Sequence, residues 1–158
     1  MPGSVKIPED VMDHLKLREG DNPLMYLDSE LHPTFGIGIK ANKKEKALWP
    51  IDTEVPKHHR DMRLAQESQR AYKNARLQTA QIGQGTNPEL VKALTAVNFQ
   101  LGTSWHKIHT ATWDLLKQNK FREAAIEAED SDWFGQTPIR VRDFQKVLMN
   151  IAKPLKAP

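Results

Sequence analysis

The chain is predicted to adopt an α+β fold that is mostly helical, and three observations lead there. An apolar-periodic run over residues 8–19 stops at Gly20, and two short apolar runs, 24–28 and 34–39, follow it around a polar turn. From 57 to 81 glycine and proline are absent and good helix formers dominate. Beyond Gly83 four more stretches carry helical periodicity. The expected architecture is a single domain, 1–158, in two lobes: a small β-hairpin lobe over about 20–56, and a helical C-terminal lobe over about 57–152 that also takes in the first helix, 8–19. A long helix joins the two.

Taken in order, residues 1–6 read as a loose lead-in. Pro8 stands in the first turn of the first helix with Glu9 and Asp10 behind it, and Met12 and Leu15 make the apolar face that Glu19 continues. Glu19 therefore ends an inward face, at the negative end of the helix dipole. Partial burial and the dipole both favour a protonated acid there. The runs 24–28 and 34–39 form a hairpin joined by SELHP, so Asp28 and Thr34 are expected to approach across the turn. Thr34, Gly36 and Gly38 share one strand face by the two-residue period, which leaves room for a flat, bulky substrate such as a sugar ring. Asp28, at an exposed turn edge, stays ionised and is suited to orient or deprotonate a water. Two carboxyl groups in different environments are what glycoside hydrolysis requires.

Residues 40–50, KANKKEKALWP, read as a polar, basic connection with its lysines on a solvated face, closed by Trp49 as a packing anchor. The long helix over 57–81 has a thin apolar set, among them Met62, Leu64, Ala71, Ala75 and Ile82, and His58–His59 at its exposed start. Gly83-Gln84-Gly85 ends it. Asn87 then caps and Pro88 opens a helix whose Leu90, Val91, Leu94, Val97, Phe99 and Leu101 are to be buried. Helices over 105–118, 121–128 and 137–152 complete the lobe, and the tail from 153 frays.

Composition bounds the function. The 158 residues suffice for one domain with a sizeable core. No cysteine is present, which excludes thiol catalysis, disulfides and cysteine-ligated zinc. A net charge of +3 and a pI near 9.1 favour anionic surfaces without choosing among them. No signal-peptide core and no membrane-helix run occurs, so stable membrane insertion is not expected. His106 and His109 are three apart with no third ligand in view, the acids at 123–132 lack a calcium-loop pattern, and Gly36-Ile37-Gly38 lacks the lysine of a phosphate loop. Neither a metal nor another cofactor is expected. The basic residues lack the aromatic interleaving of a nucleic-acid binder. Trp113 and Trp133 fall within helical apolar patterns and read as core.

Over 19–39 the chain resembles the phage-type lysozymes, the muramidase and endolysin family that includes the T-even phage enzyme. The family pattern is Glu-Gly at a helix end, Asp nine residues later, Thr six after that, and Gly-x-Gly directly behind. Here these are Glu19-Gly20, Asp28, Thr34, Gly36 and Gly38. NFQLG at 98–102, KFREAA at 120–125 and SDWFGQTPIRV at 131–141 extend the resemblance to the second lobe. Leu31 and Ile39 depart from it, since the family commonly has Gly and His there. The resemblance implies a lysozyme-like two-lobed fold and hydrolysis of the β-1,4 bond between N-acetylmuramic acid and N-acetylglucosamine in bacterial peptidoglycan. Glu19 would protonate the leaving oxygen, while Asp28, helped by Thr34, places a water on the opposite face, with inversion. Substrate contacts are implied for Phe99, Thr112, Glu127 and Lys40. Gly36, Gly38 and Arg140 are supporting residues, Arg140 pairing with Glu19. The implied biology is a monomeric endolysin kept in the host cytoplasm until a holin or virion component delivers it to the wall in the periplasm. The alternatives are a virion-associated tail lysozyme and a catalytically dead fold serving as a structural or wall-binding module.

Overall fold

The computed structural model describes residues 5–153, and the chain divides into two units, Met1–Arg70 and Ala71–Pro158. The observed fold is α+β and mostly helical, as predicted.

In the first unit, helix α1 (Glu9–Glu19) starts after Pro8 and buries Val11 and Leu15. Glu9 and Asp10 complement the positive end of its dipole. It ends because Gly20, at φ 68°, leaves the helical region while its N–H still donates to the Lys16 carbonyl, 3.0 Å away. Strands β1 (Asn22–Leu27), β2 (Pro33–Gly36) and β3 (Ile39–Lys40) then form an antiparallel sheet in that order. The expected second strand over 34–39 is thus two strands. Gly36 at φ 58° and Gly38 at φ 61° turn the chain about Ile37, and it returns with Phe35 facing Ile39 and Thr34 facing Lys40. Gly36 and Gly38 therefore make a turn and do not extend the Thr34 face, a correction to the two-residue period.

The run expected as a basic connection also contains a helix, α2 (Lys43–Leu48). Asn42 accepts from the Glu45 N–H and Glu45 accepts from the Asn42 N–H, both at 2.8 Å, so a capping box starts it. The chain beyond runs back along β1. Met25 donates to the Thr53 carbonyl, Val55 donates to that of Pro23, and Leu24 forms a bridge with Glu54. Val11, Leu15, Met25, Phe35, Ile37, Ile39 and Val55 make the apolar interior here. The N-terminal lead-in is not loose at residue 5: the Val5 N–H donates to Gln69 Oε1 and its carbonyl accepts from Gln69 Nε2. Residues 1–4 of that lead-in, and 154–158 of the tail, lie outside the described residues.

Helix α3 (Lys57–Ile82) is continuous, as its lack of glycine and proline predicts. The boundary between the units falls within it. In the second unit it is followed by α4 (Pro88–Leu101), α5 (Trp105–Ile108), α6 (Thr110–Lys117), α7 (Phe121–Glu129), α8 (Asp132–Gln136) and α9 (Pro138–Ala152). The Asn87 side chain accepts from the Glu89 and Leu90 N–H groups, and Pro88 needs no donor partner in the first turn. The single helix expected over 105–118 is interrupted at His109, whose ψ of 58° is not helical. Leu90, Leu94, Trp105, Leu116, Ala124, Val141, Phe144 and Leu148 form the centre of one continuous core. Trp113 and Trp133 belong to it, as expected, whereas Phe99 and Leu101 are only half-buried. Among the described residues no helix is long and apolar enough to cross a membrane.

Candidate active site

Burial of Val11 and Leu15 sets the rotation of α1, and Gly20 fixes where it stops, so Glu19 is presented at the helix end. It is half-buried, with Oε1 screened from solvent. The turn between β2 and β3 lies against it. A Cβ added at Gly38 would sit 2.7 Å from Glu19 Cδ and would overlap Oε2, so only glycine permits this approach. Gly36 differs: a Cβ there would meet the Arg60 side chain at an ordinary 3.8 Å, and its positive φ alone asks for glycine.

Asp28 follows the end of β1 and organises the turn after it. Its Oδ1 accepts from the Glu30 N–H at 2.9 Å and the His32 N–H at 2.8 Å, while its own N–H donates to the His32 carbonyl at 3.0 Å. These bonds leave Oδ2 toward the half-exposed side, where His32 Nδ1 is 3.7 Å away and in turn lies 3.8 Å from Glu30 Oε2. Thr34 is buried, and its hydroxyl donates to the His32 carbonyl at 2.8 Å. The expected cross-turn partner of Thr34 was Asp28; its register partner is Tyr26. Asp28 and Thr34 meet instead through one residue, since Asp28 grips the His32 N–H and both bind its carbonyl. Leu31, where the resembled family has glycine, keeps a glycine-like φ of 64° and is 73% exposed.

An acid at a helix end, packed on a glycine turn, and a second carboxylate with one oxygen fixed by main-chain donors share one unit. The first is placed to give or take a proton at a screened position, the second to accept one from a water at the turn edge. The other residues expected at the site are distributed as follows. Lys40 is exposed at the end of β3, and its carbonyl accepts from Arg63 Nη2 at 3.3 Å. Phe99 on α4, Glu127 on α7 and Arg140 in the first turn of α9 are half-buried in the second unit. Thr112, on α6 in the same unit, is buried, which leaves its hydroxyl little surface for a ligand.

One constellation escaped the sequence reading. Glu45 is 2% exposed; its Oε2 accepts from Arg63 Nε at 2.8 Å and lies 2.5 Å from His59 Nε2. Burial alone would raise the Glu45 carboxyl, but the Asn42 N–H, Arg63 and His59 together hold it below the usual carboxylate range. His58 is exposed as expected of a helix start, but His59 is not, being held by Glu45 and packed at a tilt against Trp49 at 4.6 Å. The available signal was Asn42-x-x-Glu45, a capping box inside the lysine run. His106 and His109 each pack against an indole, Trp113 at 5.0 Å and Trp133 at 5.9 Å. Among the described residues no group of three or more His, Asp or Glu is arranged to hold a metal.

No family model matches the chain. It is similar to a protein of Dictyostelium discoideum named probable T4-type lysozyme 2, with 28% identity over 147 residues that span 81% of this chain and 86% of the relative.

Proposed function

We propose that this T4-lysozyme-like chain is itself a lysozyme, a glycoside hydrolase that cuts the β-1,4 bond between N-acetylmuramic acid and N-acetylglucosamine in peptidoglycan. The observation that carries this reading is the Glu19 carboxylate packed on the Gly38 turn, in the unit that also holds Asp28 and Thr34. In the reaction, Glu19 gives its proton to the glycosidic oxygen as the bond from that oxygen to the anomeric carbon breaks. Asp28 takes a proton from a water, whose oxygen forms the new bond on the opposite face, so the β-linkage yields an α-anomer. Thr34 supports Asp28 by fixing the His32 peptide that the carboxylate grips. Lys40, Phe99 and Glu127 are assigned substrate contacts by the family resemblance, whereas Thr112, which the resemblance also points to, is buried and is not assigned one.

The finer biological role we assign is that of a phage endolysin that acts on the host wall after release from the cytoplasm. It rests on the same resemblance. The chemistry is tested by incubating the protein with purified peptidoglycan, measuring new reducing ends and taking proton spectra of the first products. Release of muramyl reducing ends with the α-anomer appearing first supports the proposal. Wall binding without new reducing ends would leave the dead-module reading instead, and a β-anomer would replace inversion by retention.

A further inference from the structure

We propose that Arg63, locked by the buried carboxylate of Glu45, is a positioning residue for the site, holding β3 and thereby the Gly38 turn in the place that Glu19 requires. This rests on the reading of Glu19 and Asp28 as the acid and base.

Carboxylates are seldom so deeply buried unless paired, and a buried ion pair contributes little net stability compared with a well-packed apolar one. The Glu45 cluster is therefore better explained by what it fixes. Arg63 uses its whole fork: Nε donates to Glu45, Nη1 donates to Glu67 Oε1 at 2.6 Å, and Nη2 donates to the Lys40 carbonyl. His59 and the Asn42 N–H supply two further partners to Glu45, and Trp49 packs against His59. The guanidinium is thus oriented from one side and delivers one bond to the end of β3 on the other.

That bond matters because β3 has only two residues. A strand so short, entered through two glycines with positive φ, has little of its own to define its position. Lys40 is the register partner of Thr34, and the adjoining Ala41 N–H donates to the Pro33 carbonyl at 2.9 Å. Two residues before β3 ends, Gly38 touches the Glu19 carboxylate. If β3 shifts, the wall behind Glu19 and the strand beside Thr34 shift together. A lysine at 63 would keep the charge opposite Glu45 but lacks the planar fork that spans three acceptors.

The test compares Arg63→Lys and the apolar pair Glu45→Leu/Arg63→Met with the unaltered chain, reading kcat and KM on solubilised peptidoglycan and amide exchange at Ala41. We expect kcat to fall about 10-fold to 100-fold with KM within about twofold, and Ala41 exchange to accelerate while Leu94 in the second unit is unchanged. Lys57→Gln, which breaks an exposed pair with Asp61 on the same helix, leaves both readouts as they were. A folded Arg63→Lys protein with unaltered kcat, or with unaltered Ala41 exchange, overturns the inference. Should the apolar pair fail to fold, the lysine variant decides alone. If the unaltered chain proves inactive, the proposed function fails; Ala41 exchange still reads the fastening of β3.

Discussion

The two units are held together by different means. In the first, the apolar interior is a modest set drawn from α1, the sheet and the return segment at Val55, and a charged side chain, Glu45, is buried within it. Positive-φ residues occur in both units, but in the first Gly20 and Gly38 flank Glu19 itself, whereas Gly83, Gly85, Gly102 and Asn119 of the second lie between helices. In the second, one apolar cluster runs from Ala75 to Leu148, and the buried polar side chains are neutral. Gln78 and Asn98 exchange reciprocal amide hydrogen bonds at 3.0 and 2.9 Å, and Trp105 Nε1 donates to Gln78 Oε1. The difference teaches where precision resides. Directional bonds and tight turns fix the carboxylates of the first unit, whereas volume and shape hold the second.

The largest expected effect tests whether the first unit is built for chemistry. Glu19→Gln should lower muropeptide release by about 10²-fold to 10⁴-fold, the range of a lost general acid, with little change in melting temperature. A variant that melts lower and still lyses would break the comparison. Next in size, Leu94→Ala in the second unit should cost about 2–5 kcal/mol by leaving a cavity, while folded protein keeps its kcat; denaturant unfolding and initial rates on one preparation check both.

A paired substitution sharpens the contrast within the first unit. Gly20 and Gly38 have nearly the same φ, 68° and 61°, but a Cβ at Gly20 meets nothing within 4 Å while one at Gly38 strikes Glu19. Both alanine variants should lose about 1–3 kcal/mol for a positive-φ backbone that favours glycine. Only Gly38→Ala should also lose activity, by tenfold or more, in a reducing-sugar assay. Smaller still is the gain expected from Leu31→Gly. Relief of the left-handed leucine, about 1–2 kcal/mol, exceeds the entropy that glycine adds to the unfolded chain, about 0.5–1 kcal/mol, so thermal unfolding should show a stabilised protein.

The smallest effect separates the units by pH. Burial first, then the charges of Lys107 and Lys117, hold the His106 imidazole below its usual range. In the interval below about pH 6.5 the unfolded chain takes up that proton before the folded one does, so stability is lost as pH falls there. Glu45 also titrates below its ordinary value. Its contribution is present above about pH 4.3 and is lost as pH falls through the lower folded value. Melting temperature should therefore drop in two steps on acidification, and His106→Phe should remove only the upper one.

What was legible in the chain follows the range of the interaction. Gly20 as a stop, Asn87-Pro88 as a start and the unbroken run behind α3 act within a turn or two of themselves, and they were read correctly. Glu19, Asp28, Thr34 and Gly38 were singled out by the resemblance of residues 19–39 to the phage-type lysozymes. Their mutual arrangement was not, because Thr34 takes its partner from strand register and its hydroxyl from the His32 carbonyl. Helix α2 was missed by letting its lysines outweigh Asn42 and Glu45. The Glu45–His59–Arg63 cluster could not be read locally, since its members are 14 and 18 residues apart and meet only after α2 folds against α3. The break at His109 carries no glycine or proline to announce it.

The distribution of indoles gives the molecule two optical reporters of unequal weight. Of its four tryptophans, three are buried in the second unit, Trp105 and Trp113 edge-to-face at 5.7 Å. The fourth, Trp49, is half-exposed in the first and packs against the His59 ring at 4.6 Å. Intrinsic fluorescence excited at the indole band therefore follows chiefly the loosening of the second unit, and a smaller component follows the end of α2. Replacing Trp49 with phenylalanine would leave a signal from the second unit alone, and the difference spectrum would follow the first.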